Sequence, residues 1–302
     1  MVAAKKNQKD VKGREGLARR ASGPLSKPIT AVTTGALERA LLAEFPAADA
    51  EPWDRTGMSV GDPARLVTGV AVALDPTVEA IETAANIGAN VLVTHHPAFL
   101  APPDSFMPAS SVAANPGAGV WRAVERGVSI LSYHTALDVS VRAQRVLPGM
   151  LGLDFQQVLV PLPGSRDKGY GQLCTLGEDD GLTLGQLAAR CTSVFARAPR
   201  VWGDFPRELD RVVTCTGSLD DDLGRACLRA QVDCLVCGEI KYHKALELSQ
   251  AGLAIVDLGH DTSELPLAAV LAAAVETVGI PGDLVTVLDQ GDNWSYPETV
   301  RV

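Results

Sequence analysis

The sequence lacks any apolar stretch of the roughly 18 residues that a membrane-spanning helix requires, and no hydrophobic signal-peptide core follows its start. Only 5% of its 302 residues are aromatic, and it has no phosphate-binding loop of the G-x-x-x-x-G-K-[ST] type. These absences argue against a membrane protein, a secreted protein and a P-loop nucleotidase. Because 46% of the residues are hydrophobic, the chain can bury a sizeable core. We therefore expect a soluble cytoplasmic protein.

The chain has few cysteines for its length, six in all, and most of them lie inside apolar runs. This usage is typical of reduced, buried thiols rather than of a disulfide framework. Cys234 and Cys237 have the C-x-x-C spacing of redox and zinc sites, but no second ligand pair lies nearby in the sequence. The pattern favours two strand thiols, with a redox or metal role as the alternative.

The net charge of −9 is unevenly distributed along the chain. The first 30 residues carry eight Lys or Arg and two acids, a net charge of +6, so the remaining 272 residues carry −15. The acidic body argues against general nucleic-acid binding, which requires a basic surface. Residues 1–30 lack apolar periodicity, and we predict a disordered basic extension there, with an arm for an anionic partner as the alternative.

The chain then alternates between helical and strand patterns. Leu37, Leu41 and Phe45 recur at helical spacing, and a loop and the strand-like "TGVAVALD" follow. We expect Asp75, which ends this strand, to cap the next helix, with Pro76 at the first helical position. The buried strand "VLVT" comes next and leads directly to two adjacent histidines.

The same plan recurs 143 residues later, where "DCLVCGE" (233–239) aligns with "NVLVTHH" (90–96). Each segment belongs to a strand, turn, helix, strand pattern that ends in a polar cluster. The sequence therefore predicts an α/β protein of two lobes, built from pseudo-duplicated β-α-β halves with a metal site between strand ends. We place the first lobe at residues 31–150 and the second part at residues 151–302.

The chain has five histidines, and each lies in a short string that closes a strand-like run. The strings are "THHP" with His95 and His96, "YHTALD" with His134, "KYHKA" with His243, and "GHDTSE" with His260. Two of these strings also carry a carboxylate four residues beyond the histidine, Asp138 after His134 and Glu264 after His260. On a helical turn, residues four apart face the same way, so His260 and Glu264 could bind one ion. Histidine with carboxylate is a ligand set for Zn, Mn, Fe or Co, and its size here fits a two-metal site with a bridging carboxylate.

Five strings, "VAVALD", "GANVLVTHHPAF", "VSILSYHTALD", "CGEIKYHKALE" and "GLAIVDLGHDTSE", together resemble the Nif-three-like family. Bacterial members of that family are labelled GTP cyclohydrolase 1 type 2 homologues. The resemblance runs in order from about residue 33 to the C-terminus and leaves out the basic extension. The combination of "THHP" with "GHxxSE" is specific, whereas either string alone would be a weak signal.

The resemblance implies a two-lobed α/β protein that assembles as a toroidal homohexamer with two divalent metal ions in each subunit. It implies that the metal ligands, with Glu264 bridging, are His95, His96, Asp138, His260 and Glu264. His134 and His243 would hold these ligands or contact the substrate, and either could transfer protons.

Three positions depart from the family pattern. Arg55 follows Trp53 and Asp54 where Asn is common, Glu239 follows Gly238 where Asp is common, and the loop "CTGSLDDD" is unusually acidic. We expect none of these departures to contact a proposed metal ligand, so they bear on the substrate rather than on the metal centre.

Two functions from different classes follow. The first is a dinuclear metal-dependent hydrolase of a small-molecule substrate, such as a nucleotide like GTP or a related cyclic amide or phosphoester. The second is a metal-binding regulatory or chaperone-like hexamer without catalysis; open coordination positions favour the first, and a closed ligand set favours the second. A third interpretation, a ring that threads nucleic acid, depends on the toroid and the basic extension, and the acidic body argues against it.

Overall fold

The computed structural model describes residues 31–110, 115, 117–176, 181–291 and 294. The predicted basic extension, residues 1–30, lies outside the described residues. In the described part of the chain, no helix combines the length and apolar character that a bilayer crossing requires.

Helices and strands alternate through most of the described chain. The helices are α1 (Thr34–Glu44), α2 (Val78–Asn86), α3 (Ala118–Arg126), α4 (Thr135–Asp138), α5 (Val146–Leu151), α6 (Leu184–Phe195), α7 (Asp221–Arg229), α8 (Tyr242–Gln250), α9 (His260–Glu264) and α10 (Leu267–Thr277). The strands are β1 (Gly57–Val60), β2 (Val70–Ala73), β3 (Val91–Thr94), β4 (Ser129–Ser132), β5 (Asp154–Pro161), β6 (Gly169–Thr175), β7 (Leu182–Thr183), β8 (Arg200–Trp202), β9 (Glu208–Leu209), β10 (Arg211–Ser218), β11 (Cys234–Glu239), β12 (Ala254–Asp257) and β13 (Val285–Val287).

The first lobe is built around a five-stranded sheet of order β1-β4-β3-β2-β13. Strands β2, β3 and β4 are parallel, and β1 pairs antiparallel with β4 at the edge. Helices α2 and α3 cover one face through Ile81 and Ala123, while α1 and α10 cover the other through Leu41 and Leu271. Because both faces are covered, the central strands are entirely buried, which explains their unbroken apolar sequences.

The second lobe contains a six-stranded sheet of order β5-β6-β10-β11-β12-β8. Its central strands β10, β11 and β12 are parallel, with α6 against one face and α7 and α8 against the other. Cys234 packs into the core on the α6 side, and Cys237 packs into the core on the α7 side. Since their side chains lie on opposite faces of the sheet, the two thiols cannot bind one ion together.

The two lobes repeat one design. The unit β2-α2-β3-α3-β4, with antiparallel β1 beside β4, matches the unit β10-α7-β11-α8-β12, with antiparallel β8 beside β12. The predicted pseudo-duplicated α/β fold is therefore confirmed. Its polar strand ends face each other between the lobes, and the histidine strings follow these ends.

The chain does not stay in the second lobe to its end. After α9, helix α10 packs into the core of the first lobe, and β13 adds to β2. The side chain of Gln290 then accepts hydrogen bonds from the backbone N–H groups of Leu74 (2.8 Å) and Asp75 (2.9 Å). The predicted second part, residues 151–302, thus contributes to both sheets.

One local prediction is wrong. Thr77, not Asp75, caps α2, because its hydroxyl accepts the hydrogen bond from the N–H of Ala80 at 3.0 Å. Asp75 instead turns towards the space between the lobes, where its carboxylate meets His96 at 2.7 Å. The helix predicted from the spacing of Leu37, Leu41 and Phe45 is confirmed as α1.

Candidate metal centre

The two histidines of "THHP" stand at the carboxyl end of β3. Successive residues of a regular strand point to opposite faces, but β3 ends at Thr94, whose hydroxyl donates to the carbonyl of His96 at 2.7 Å. The chain turns here, so the rings of His95 and His96 lie on the same side, with centroids 4.9 Å apart. This turn explains why two adjacent imidazoles reach one site.

Glu264 is the carboxylate around which these rings gather. Its Oε2 atom lies 3.0 Å from Nε2 of His96 and 3.2 Å from Nε2 of His260, while its Oε1 atom lies 3.5 Å from Nε2 of His95. Asp138 approaches the same nitrogen of His95, with its Oδ1 atom 3.7 Å from Nε2. The structure thus brings together all five residues that the resemblance implies as ligands.

The ligand atoms fall into groups small enough to hold one ion each. His95, Asp138 and Glu264 form one group, and His96, His260 and Glu264 form another, with the ligand atoms of each within 4.8 Å of one another. Glu264 belongs to both. A third group consists of His95, His96 and His134.

A second layer of carboxylates orients three of the imidazoles. Asp75 contacts Nδ1 of His96 at 2.7 Å, Asp54 contacts Nδ1 of His134 at 3.0 Å, and Glu239 contacts Nδ1 of His260 at 3.0 Å. A carboxylate on Nδ1 holds the ring so that Nε2 faces inward, as in many metal sites. None of these three roles was predicted from the sequence.

Glu239 requires a correction. We expected neither this departure from the family pattern nor the loop "CTGSLDDD" to contact a proposed ligand. The Oε2 atom of Glu239 nevertheless meets His260, and the hydroxyl of Thr216 in that loop donates to Asp138 at 2.9 Å. The reason is topological: Glu239 ends β11, and the neighbouring strand β12 leads directly into α9. Position at a strand end beside "GHDTSE" is the signal that could have identified it.

Two glycines allow α9 to approach the strands closely. A Cβ atom at Gly217 would lie 2.3 Å from Oε1 of Glu264, and one at Gly238 would lie 2.2 Å from Oγ of Ser263. The hydroxyl of Ser263 accepts from the N–H of Gly217 at 2.9 Å and donates to the carbonyl of His260 at 2.8 Å. These contacts fix α9, and with it Glu264, against β10 and β11.

The cluster perturbs the titration of its members. Burial raises the pKa of Glu264, but the neighbouring imidazoles outweigh burial and hold that pKa well below its usual value. The hydrogen-bonded carboxylate of Glu264 raises the pKa of His260 to about 9. Burial lowers the pKa of His96, yet Asp75 and Glu264 together raise it to about 10. Burial raises the pKa of Asp138.

The donor set fits a divalent cation. His95 is completely buried, and neither of its ring nitrogens has a hydrogen-bond partner among the described residues. Leaving a buried polar group unpaired costs about 1–3 kcal/mol, so an imidazole is a poor choice for this position unless it binds something. Nitrogen and carboxylate donors together are the ligands that Zn, Mn, Fe and Co prefer.

The two histidines predicted to transfer protons lie in different places. The ring of His134 is 5.2 Å from that of His95 and 5.3 Å from that of His96, so it belongs to the cluster. His243 is exposed on α8, where its ring contacts Tyr242. It is absent from every ligand group formed by the described residues. A role for His243 in the site stays a prediction.

A serine-hydrolase motif also occurs in the sequence, at "GMSVG" (57–61), but its context is unsuitable. A nucleophilic serine of this type stands on a sharp turn between a strand and a helix. Ser59 lies inside the antiparallel edge strand β1, and no helix follows before β2. This leaves the histidine–carboxylate cluster as the candidate centre.

Comparisons with known proteins identify the family to which the chain belongs. The family model described as Duf34/NIF3 (NGG1p interacting factor 3) matches residues 32–284. A Streptomyces coelicolor protein named GTP cyclohydrolase 1 type 2 homolog is 32% identical over 248 residues, which cover 79% of this chain and 84% of that protein.

Solved structures share the fold. A hypothetical protein of Staphylococcus aureus superposes with a TM-score of 0.77 at 22% identity, over 88% of this chain and 99% of that one. A Bacillus cereus protein related to NIF3 superposes with a TM-score of 0.74 at 18% identity, over 90% of this chain and all of that one. From the extent of the family match and the identity to the Streptomyces relative, the chain belongs to the Duf34/NIF3 family.

Proposed function

We propose that the protein is a hydrolase that depends on two divalent metal ions. The observation that carries this proposal is the position of Glu264 between two groups of donors, with Oε1 towards His95 and Oε2 towards His96 and His260. A carboxylate whose two oxygens serve two neighbouring ions is the usual bridge of a dinuclear centre.

His95 and Asp138 would hold one ion, His96 and His260 would hold the other, and Glu264 would contribute to both groups. When bound, the two ions would supply Lewis acidity and a water nucleophile near neutral pH. Asp75 and Glu239 fix the rings of His96 and His260, so that the ligands are oriented before an ion arrives.

His134 is the proposed proton carrier. Asp54 accepts from Nδ1 of His134 with one oxygen, and with the other it accepts from the N–H (2.9 Å) and hydroxyl (2.6 Å) of Thr135. This arrangement fixes the ring and leaves Nε2 for the substrate in the cavity that His134 lines. An imidazole held in this way can exchange a proton with a reacting group.

The number of protein donors favours hydrolysis over the alternative, a regulatory or chaperone-like metal protein. Each group offers three protein ligands, whereas purely structural sites are closed by four. Open positions leave room for water and for a substrate oxygen. The name of the Streptomyces relative makes GTP the first compound to test, together with cyclic amides and phosphoesters.

We also propose the toroidal homohexamer that the family resemblance implies. An apolar surface formed by α5 and α10, which includes Val146, Met150 and Val270, supports contact between subunits. Native mass spectrometry would measure the number of subunits, and a monomer at micromolar concentration would contradict this assembly.

The decisive experiment for function combines a measurement of metal content with a measurement of substrate turnover. Elemental analysis of the purified protein should give about two divalent ions per chain. A hydrolase panel run with the loaded protein and with the chelated protein should then find activity only in the former. Two ions per chain without turnover of any hydrolysable substrate would favour the regulatory or chaperone-like alternative.

A further inference from the structure

A cavity of about 350 Å³ opens beside the cluster and is bounded by both lobes. Part of its wall is apolar or aromatic. These side chains are Trp53, Leu100, Tyr170 and Leu223. Among them, Trp53 is 55% exposed, and its ring centroid lies 5.6 Å from that of His134, so much of the indole is open to a ligand next to the cluster.

In the metal-free protein this wall contains one imidazole with a raised pKa, that of His260. In the loaded site that imidazole would be a neutral ligand, and the charged side chains of the wall would then all be acidic: Glu51, Asp138, Asp220 and Glu264. No Lys or Arg among the described residues lines the cavity. Sites for phosphate groups ordinarily provide Arg, Lys or a free helix N-terminus, and the described wall provides no such cation.

Two of the backbone donors at this wall already serve protein carboxylates, and a third, the N–H of Gly217, donates to the hydroxyl of Ser263. Asp220 caps α7 and accepts from the N–H of Leu223 at 2.7 Å, and two further aspartates occupy the first turn of that helix. The N–H of Thr135, at the start of α4, donates to Asp54 at 2.9 Å. An incoming anion would therefore have to displace a carboxylate to use either donor.

A second cavity of about 330 Å³, also lined by His260, has the same character. It contains Arg200, but the guanidinium pairs with Asp257, and Glu239 and Asp261 also line the wall. Neither cavity next to His260 thus shows an excess of positive charge among the described residues.

Binding of two metal ions would not give the site a net positive charge. Two divalent ions would bring four positive charges to neutral imidazoles. Four carboxylates lie in or directly behind the ligand set: Asp75, Asp138, Glu239 and Glu264. The loaded centre would consequently be about neutral, before the neighbouring Asp54, Glu51 and Asp220 are counted.

We infer that the site takes a planar ring compound that is uncharged or cationic and that lacks a phosphate chain, stacked on Trp53. This inference rests on the proposed function for the identity of the centre. It narrows the substrate to a nitrogen heterocycle or a similar amide or amidine ring, and it argues against a nucleoside triphosphate. An aromatic face attracts planar rings and cations, and the acidic wall repels polyphosphates.

The test uses the full chain loaded with Mn²⁺ and three ring probes of different charge: guanosine, benzamidine and GTP. Isothermal titration should give saturable binding of guanosine or benzamidine at least tenfold tighter than that of GTP. Trp53→Ala should weaken ring binding at least tenfold. Trp121→Ala, which removes an exposed tryptophan of α3, is the matched control and should change nothing.

A second variant tests the charge directly. Glu51→Gln combined with Asp220→Asn removes two negative charges and keeps a residue suited to capping α7. It should strengthen GTP binding relative to guanosine. Metal content is measured for every variant, so that loss of an ion is not mistaken for loss of the ring site.

Tighter binding of GTP than of both other probes would overturn the inference, and so would the absence of Trp53-dependent binding of guanosine and benzamidine. These outcomes are separate from those that test the proposed hydrolase function. A protein that binds a ring probe but hydrolyses nothing would contradict the proposed function alone. A protein that prefers and hydrolyses GTP would contradict the ring inference alone.

Discussion

The Nε2 atom of His96 and the Oε2 atom of Glu264 lie 3.0 Å apart, although more than half of the chain separates the two residues in sequence. His96 comes from the first lobe, and Glu264 follows the last strand of the second sheet. This contact closes the cluster, and the two lobes must pack correctly for it to form. Metal binding is therefore expected to report on the packing of the lobes as well as on the ligands.

Replacing Glu264 with Gln should remove at least one of the two ions. The variant keeps the shape of the side chain but loses the charge that faces three imidazoles. Elemental analysis after dialysis measures the change, and circular dichroism should show an intact α/β fold. Glu247→Gln, on the exposed face of α8, is the matched control and should retain both ions. Two ions in the Glu264 variant would exclude the bridge.

Asp54→Asn should lower turnover about 10- to 100-fold while both ions stay bound. The substitution weakens the hold on His134 without touching the five proposed ligands. Turnover and metal content are measured on the same sample. Loss of an ion instead would mean that His134 is itself a ligand, through its group with His95 and His96.

Gly217→Ala should weaken metal binding, because its Cβ atom would lie 2.3 Å from the carboxylate of Glu264. Gly217 also has a φ of +62°, so backbone strain of about 1–2 kcal/mol contributes to any loss of stability. Gly252→Ala separates the two effects, since it has a φ of +98° and no heavy atom within 4 Å of the added Cβ. The melting temperature should be lowered in both variants, whereas the metal affinity should be lowered only in Gly217→Ala.

Metal binding should become stronger as the pH rises. In the metal-free protein the pKa of His96 is raised to about 10 and that of His260 to about 9, so both are protonated at pH 7 and must lose their protons to bind an ion. Calorimetric titration of the metal-free protein with metal ions at pH 7, in buffers of different ionisation enthalpy, measures the protons released. It should detect release of about two protons when His96 and His260 bind their ion. No dependence on the buffer would contradict this.

The same two histidines make the stability of the metal-free protein decrease as the pH rises. A raised folded-state pKa contributes stability that is fully present below the unfolded value of 6.5 and is lost as the pH rises through about 9 to 10. The melting temperature of chelated protein should therefore fall across this range through these groups. A rise would show that other groups dominate the titration.

Cys234→Ala and Cys237→Ala should each cost about 1 kcal/mol in the free energy of unfolding and leave the metal content unchanged. Burial raises the pKa of both thiols, so neither forms the thiolate that a metal or redox site needs. Denaturant titration and elemental analysis check the two parts. A loss of metal in either variant would revive the C-x-x-C alternative.

The sequence was sufficient to predict the strands that carry His95, His134 and His260, because buried parallel strands have unbroken apolar sequences. It also predicted the approach of His260 to Glu264, which follows from helical periodicity alone. The partners Asp54, Asp75 and Glu239 could not be chosen among 36 acids, since their contacts depend on which strand ends face each other. The addition of β13 to the first sheet could not be predicted either, because a three-residue strand at a sheet edge has too little sequence pattern to be recognised.

That addition has a consequence for biosynthesis. Gln290, near the end of the described chain, fixes the backbone of Asp75, and Asp75 orients His96. The segment that carries Gln290, which is synthesised long after β2 and β3, therefore completes the first sheet and fixes the backbone of Asp75. A nascent chain in which this segment has not yet been made lacks that hold on Asp75, so the support of His96 is complete only after residue 290 has been synthesised.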